Sequence, residues 1–434
     1  MAEILEIGEE IQTWLGGKLT VEKYLAEGGQ GRVYVVDYKG EKKALKWYKD
    51  IGMVEAFKNN IKENIKHGKP SDAFLWPLDI AELSDGSFGY VMDLKPDNYY
   101  ELTQFMLCNV RFNSYRTIID AALKIVSAFR ILHNQGYSYQ DLNDGNFFIN
   151  KDTGKVLICD NDNVAPDGIP TGIIGKPRYM APEIVLGKNM PDSLSDRFSM
   201  SVILYILFCM NHPLEGKRYL VPALTPALQE KLYGSDPLFM WDESDRSNAP
   251  HPAVHQNSIK VWPLLPDYMR MIFLEAFSKK ALAKPSARPP EIRWLQALTR
   301  FRSEIVRCSC GNEIFTQEGK LAECDNPMCK KYVDIPFRLV LSSYSIPAVR
   351  DTRIYRCQLG VCDDKKALLP IARVLKKKNS EALGLQNVSG KQWHAVTSKD
   401  VPRKVAPDEI IPLKDGIKFT VEGETVEIKE NTGR

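Results

Sequence analysis

Residues 139–146 read YQDLNDGN and residues 156–160 read VLICD, and these two stretches decide the fold. Taken singly, Asp and Asn are ordinary loop residues, because their short side chains bond the neighbouring backbone. The flanks add more. Upstream, Ile118, Ala122, Ile125, Val126 and Phe129 recur at the spacing of an amphipathic helix that starts near Tyr115 and stops at Gly136. Helical character then dominates to about Phe301, broken by a Pro- and polar-rich stretch over 234–262 that reads as a long loop.

Further out, residues 18–93 read as short strands. RVYVVDY (32–38), the turn Lys39-Gly40-Glu41 and KKALKWY (42–48) make an antiparallel hairpin. One helical segment, 54–67, interrupts them with Phe57, Ile61 and Ile65 on one face. LAEGGQGRVY (25–34) sits between two strand signals, and its glycines let backbone amides approach phosphate oxygens. A plain glycine-rich hairpin turn is an equal reading of that stretch alone. Fifteen residues after Gly31, Lys46 ends a strand from which it can reach back under the turn.

With these in place, the chain resembles the protein kinase family. Asp141 and Asn146 match the catalytic-loop Asp and Asn, and Asp160 matches the metal-binding Asp of the DFG triplet. GKPRYMAPE (175–183) resembles the end of an activation segment, and Asp196 opens an apolar helix. SARPP (286–290) is similar to the late motif whose Arg, here Arg288, pairs with the APE glutamate, Glu183. The resemblance covers about residues 20–302 and implies an α+β bilobal fold, with an antiparallel-sheet N-lobe and a helical C-lobe.

It also implies ATP and Mg2+ as cofactors and a Ser/Thr hydroxyl of a protein as acceptor. Asp141 would orient the hydroxyl and take its proton, and Asn146 and Asp160 would hold magnesium. Lys46 would fix the α- and β-phosphates, held by a glutamate of the first helix. Glu63, seventeen residues beyond Lys46, fits that layout better than Glu55. Gly28, Gly29 and Gly31 would cover the phosphates. Adenine would lie between Leu25, Val33 and Ala44 above and Phe148 below, with Met92 as gatekeeper and Asp93-Leu94 as hinge.

Four positions depart from the family. Ala26 replaces the first loop glycine, Gln140 the catalytic-loop Arg, and Asn143 the lysine two residues after the catalytic Asp. The DFG triplet reads Asp160-Asn161-Asp162. Gln140 offers no guanidinium to a phosphorylated segment. Lys176, where the family carries a threonine, can supply from the activation segment the charge that Asn143 lacks. The rival to an active kinase is a nucleotide-binding pseudokinase scaffold. Small-molecule kinases of the aminoglycoside type lack the APE region and its Arg.

Composition agrees with a globular protein: 434 residues, 44% hydrophobic and 26% charged. The 58 basic and 55 acidic residues leave a net charge of +3, so nucleic acid is not expected as a partner. The start has no basic, then apolar leader, and the apolar run 200–210 is too short for a bilayer. A cytoplasmic protein without membrane contact is expected.

Nine cysteines are present, and four cluster as Cys308-x-Cys310 and Cys324-x4-Cys329 across a thirteen-residue, hairpin-like spacer. Two turns presenting paired thiolates suit tetrahedral Zn2+ with no open position, and the pattern resembles a zinc ribbon. Cys357 and Cys362 read as strand residues, with substitute ligands as a second choice. Cys108, Cys159 and Cys209 read as core. The organisation expected is an extension (1–19), a kinase domain (20–302), a ribbon (303–335) and a β-rich module (336–434). The module faintly resembles forkhead-associated domains, without their Arg and Ser-x-x-His. The whole layout is similar to bacterial eukaryotic-type kinases of tellurite-resistance-like systems, which implies a von Willebrand A-type substrate and an opposing magnesium-dependent phosphatase.

Overall fold

The computed structural model describes residues 4–49, 55–172, 175–318, 321–360, 366–397, 399 and 401–431. Cys362 lies outside them. The chain divides into two compact units, Met1–Asn113 with Ala128–Leu265 and Phe273–Pro289, and Ser114–Ser127 with Pro266–Ile272 and Pro290–Arg434.

In the first unit, strands β1 (Glu10–Gln12), β2 (Lys18–Glu27), β3 (Gly31–Tyr38), β4 (Glu41–Tyr48), β5 (Asp79–Glu82) and β6 (Phe88–Asp93) form one antiparallel sheet. Its order is β1-β2-β3-β4-β6-β5. The β3–β4 turn puts Lys39 and Gly40 at φ of 57° and 81°, the two left-handed positions a tight hairpin needs. Alternation then sorts β4 onto two faces. Leu45 and Trp47 join Val21, Tyr34, Val36 and Val91 in one core. Ala44 and Tyr48 join Tyr90, Met92, Phe57 and Ile61 in another, beneath helix α1 (Glu55–His67). Lys46 therefore points to the α1 side.

The helix Ser193–Cys209 is the buried pillar of the helical part, capped by Asp192 accepting from the Ser195 N–H at 2.7 Å and ended by Met210 at φ 52°. Among the described residues no helix is long and apolar enough to cross a membrane. The stretch 234–262 is not the continuous loop expected. It contains the helix Gln256–Val261 and turns at Arg246–Asn248 and Trp262–Leu264. Six helical residues are too few to show a period in the sequence. Tertiary contacts hold them: Ser258 Oγ lies 3.2 Å from Tyr205 Oη, and the Trp241 and Trp262 rings stack 5.3 Å apart.

The second unit carries the helix Glu291–Glu304, the hairpin Ile305–Arg307 with Glu313–Phe315, and a six-stranded and a four-stranded antiparallel sheet. Both sheets feed one core, in which Trp393 and Phe419 stack at 4.7 Å among Leu339, Ile354, Val374 and Leu385. Cys357 corrects its strand reading. It sits in the 3-10 turn Arg356–Leu359, buried, its sulfur 3.6 Å from Thr299 Oγ1. Its thiol packs as a small core group, and it is not part of the cysteine cluster.

Candidate active site

The loop after the helix Tyr115–Asn134 is held from below. Asp196, buried at the start of the pillar helix, accepts from the Tyr139 and Gln140 N–H groups at 2.6 and 3.2 Å and meets His133 Nε2 at 3.1 Å. Asn143 then caps the turn Asp144–Asn146. Its side chain accepts from the Gly145 N–H at 3.1 Å, while Asn146 Oδ1 accepts from the Asn143 N–H at 2.8 Å. These bonds fix the turn that follows Asp141 and carries Asn146. Tyr139 Oη donates to the Cys159 carbonyl and ties this loop to the next.

That next loop bends at Asp160, which takes a left-handed φ of 55°. Asn161 replaces an apolar pin by hydrogen bonds, its amide donating to the Leu75 and Ile158 carbonyls at 2.7 and 2.9 Å. Asp160 faces two expected partners: Lys46 Nζ is 3.1 Å from Oδ1, and Asn146 Nδ2 is 3.3 Å from Oδ2. The Asn146 carbonyl oxygen keeps a second lone pair. It is the amide nitrogen that faces Asp160, whose half-exposed carboxylate offers oxygen donors of the kind Mg2+ takes.

Lys46 corrects the sequence reading. Neither Glu63 nor Glu55 reaches it: Glu63 is exposed and pairs with Lys66 at 2.6 Å, and Glu55 lies 3.9 Å from Lys62. Periodicity locates a helix but not its rotation against the sheet, and α1 turns Phe57, Ile61 and Asn64 inward instead. The lysine's closest partner is Asp162 Oδ2, at 2.8 Å. Burial alone would depress the Lys46 ammonium. The charges of Asp162 and Asp160 outweigh it and hold the group above its ordinary value.

Asp141 is half-buried. Burial, and next the charge of Asp160, push its carboxyl up to about 6, while Lys176 pulls the other way. Lys176 donates to Asn143 Oδ1 at 3.0 Å, and Asn143 Nδ2 lies 3.5 Å from Asp141 Oδ1. Gly175 allows this approach, since a Cβ there would sit 3.2 Å from Asp141 Oδ1. Gln140 spends its amide on the activation segment, donating to the Ile169 carbonyl at 2.6 Å and accepting from the Thr171 N–H at 3.0 Å. Beyond it, Arg288 grips Glu183 with two bonds of 2.7 and 2.6 Å.

The expected nucleotide-facing residues lie on the sheet and below it. Ala44 pairs in register with Met92, and half-buried Val33 and Leu94 pack on their cluster. Leu25 is exposed on β2. Phe148 carries Lys95 Nζ 5.4 Å above its ring, and Asp93 pairs with Lys43 at 3.0 Å. Gly28 donates to the Gly31 carbonyl at 2.8 Å, closing the turn, and Gly29 has open space around it. Gly31 has a packing reason too, because a Cβ would meet the Trp47 carbonyl at 2.6 Å.

Residues 20–221 match the family model for the protein kinase domain. The matched stretch contains Lys46, Asp141, Asn146, Asp160 and Glu183. It is 34% identical over 102 residues to Maternal embryonic leucine zipper kinase of Xenopus laevis, covering 23% of this chain and 16% of that one. To Protein kinase YegI of Escherichia coli O157:H7 it is 23% identical over 245 residues, 52% of this chain and 35% of the relative. To Serine/threonine-protein kinase Nek11 of Macaca fascicularis it is 24% identical over 249 residues, 51% and 37%. The chain thus spans between 16% and 37% of these relatives' lengths. A strand-rich sheet followed by helices fits the bilobal kinase fold, and the YegI similarity agrees with a bacterial kinase.

Sequence reasoning on the kinase domain missed Asp162, Tyr48 and Tyr90. The signal was an acidic residue two places after Asp160, with Tyr48 two places along β4 from Lys46 and Tyr90 directly across from it.

The second unit holds a separate cluster. The sulfurs of Cys308, Cys310, Cys324 and Cys329 all lie within 4.8 Å of one another. Cys308 to Cys329 and Cys310 to Cys324 are each 3.7 Å. A tetrahedron with Zn–S bonds of about 2.3 Å has sulfur edges of about 3.8 Å, so the four fit a zinc ion.

Proposed function

We propose that this chain is an ATP- and magnesium-dependent protein kinase that transfers the γ-phosphate to a Ser/Thr hydroxyl of a protein partner. One observation carries the reading: Lys46, Asn146 and Asp160 converge within 3.3 Å while Asp141 stands on the same loop as Asn146. Lys46 would hold the α- and β-phosphates and Asn146 and Asp160 the magnesium. When bound, the metal would neutralise charge on the β- and γ-phosphates. Asp141, buried enough to be a competent base, would orient the acceptor hydroxyl. The Glu183–Arg288 pair, which braces the activation segment, supports a protein acceptor.

The resemblance to kinases of tellurite-resistance-like systems makes a von Willebrand A-type protein the proposed substrate and a magnesium-dependent phosphatase the opposing enzyme. In the second unit the four cysteines are proposed to hold structural Zn2+, and the β-rich module to serve as an interaction domain without phosphothreonine recognition.

The test is labelled-phosphate transfer from ATP with magnesium to a protein acceptor. Asp141→Ala and Asp160→Ala are expected to abolish transfer while keeping the wild-type circular dichroism. Activity above a tenth of wild type in either would sink the assignments, and ATP binding by the wild-type chain without transfer would support the scaffold reading instead.

A further inference from the structure

We infer that Asp162 is the positioning residue for Lys46, so that the lysine's grip on phosphate is set by the metal-holding loop and not by helix α1. The inference rests on the kinase reading above and deepens it.

Asp162 is fully buried, and three donors converge on its carboxylate. Lys46 Nζ and Tyr48 Oη reach Oδ2 at 2.8 and 2.5 Å, and Tyr90 Oη reaches Oδ1 at 3.2 Å. Strand geometry assembles this cage. Lys46 and Tyr48, two residues apart on β4, share a face, and Tyr90 on β6 is the register partner of Lys46. Burial first, then the charge of Asp162, hold both phenols well above their ordinary range, so they remain donors at neutral pH. A buried carboxylate supplied with an ammonium and two hydroxyls is a fully paired charge.

Helix α1 offers this site no charge. Its Glu55 and Glu63 are exposed and face Lys62 and Lys66. Phe57 packs its ring on Tyr48 at 5.5 Å. Asn60 and Asn64 donate to the Val164 carbonyl at 2.7 and 2.8 Å. The helix thus braces the loop backbone through neutral amides. Asn60 Nδ2 also lies 3.5 Å from the Asp162 carbonyl oxygen, so α1 supports the turn that carries the carboxylate without pairing with Lys46 itself. Since Lys46 also meets Asp160 at 3.1 Å, the phosphate-holding ammonium and the metal-holding carboxylate are both set by the 160–162 turn.

The experiment measures binding of a fluorescent ATP analogue with magnesium, and steady-state kinetics, on the full chain. Asp162→Asn is expected to weaken nucleotide binding at least tenfold, whereas Glu55→Gln and Glu63→Gln change it less than twofold. A double-mutant cycle separates positioning from mere structure. In a Lys46→Met background, Asp162→Asn should add less than a twofold loss. Should Asp162→Asn fail to fold, the double variant Tyr48→Phe/Tyr90→Phe removes two donors and keeps the rings. It should raise the KM for ATP at least threefold with a smaller effect on kcat. Wild-type affinity in Asp162→Asn, or an unchanged KM in the tyrosine pair, overturns the inference alone. So does an undiminished effect of Asp162→Asn beside Lys46→Met, or an equal loss in Glu63→Gln. A wild-type chain that binds no nucleotide overturns both the kinase reading and the inference.

Discussion

Lys176 reaches from the activation segment to Asn143 and donates to its side-chain oxygen at 3.0 Å. A cation thus stands beside the loop position where related kinases carry their own lysine, and its charge is felt at Asp141.

If that ammonium neutralises the γ-phosphate as charge redistributes, Lys176→Ala lowers kcat more than tenfold with little change in the KM for ATP. The double change Asn143→Lys with Lys176→Thr recovers much of the loss. Normal turnover in Lys176→Ala would show that the charge is supplied elsewhere.

The same contact predicts a pH effect. Asp141 works as a base only when ionised, and its carboxyl is pushed up to about 6, so kcat is expected to fall as pH drops through about 6. Lys176 lowers that value, so its removal raises it, and the acid limb of Lys176→Ala shifts to higher pH. A pH–rate profile of the residual activity checks the direction; a limb displaced toward acid would contradict it.

Activity should not require phosphorylation of the activation segment. Thr171 is the only Ser or Thr between Asp160 and Glu183. Gln140 already bonds the segment backbone at Ile169 and Thr171 through a neutral amide. Phosphatase-treated enzyme and Thr171→Ala are expected to keep wild-type turnover, whereas Gln140→Ala, which frees the segment, loses several-fold. Silencing by phosphatase would refute this.

Zinc analysis of the purified chain should return one ion per molecule, and Cys324→Ser should lose it. Thiolate ligands make retention pH-dependent, with release on acidification. Chelation should loosen the second unit and leave ATP-analogue binding unchanged. A metal-free wild-type protein would end the assignment.

Much of the fold was legible because its signals are local. The β3–β4 hairpin follows from alternation and a two-residue turn, α1 from apolar periodicity, and the pillar helix from an unbroken apolar run over 200–210. The 256–261 helix was not, because a single turn and a half is held by Tyr205 and Asn211 and leaves no pattern of its own. Asp141, Asn146, Asp160 and Lys46 could be chosen from motif order, since their spacing along the chain reflects the loops that carry them.

The sequence by itself determined which groups are available for phosphoryl transfer, with Asn143 at one loop position and Lys176 at another. Only the tertiary structure decided what holds Lys46. Glu63 is seventeen residues away along the chain and Asp162 is 116. Yet strand register placed Tyr48, Tyr90 and Lys46 around one buried carboxylate, while the rotation of α1 left its glutamates in water. Buried charges take the partner that folding brings within about 3 Å, and neither chain distance nor helical period encodes that choice.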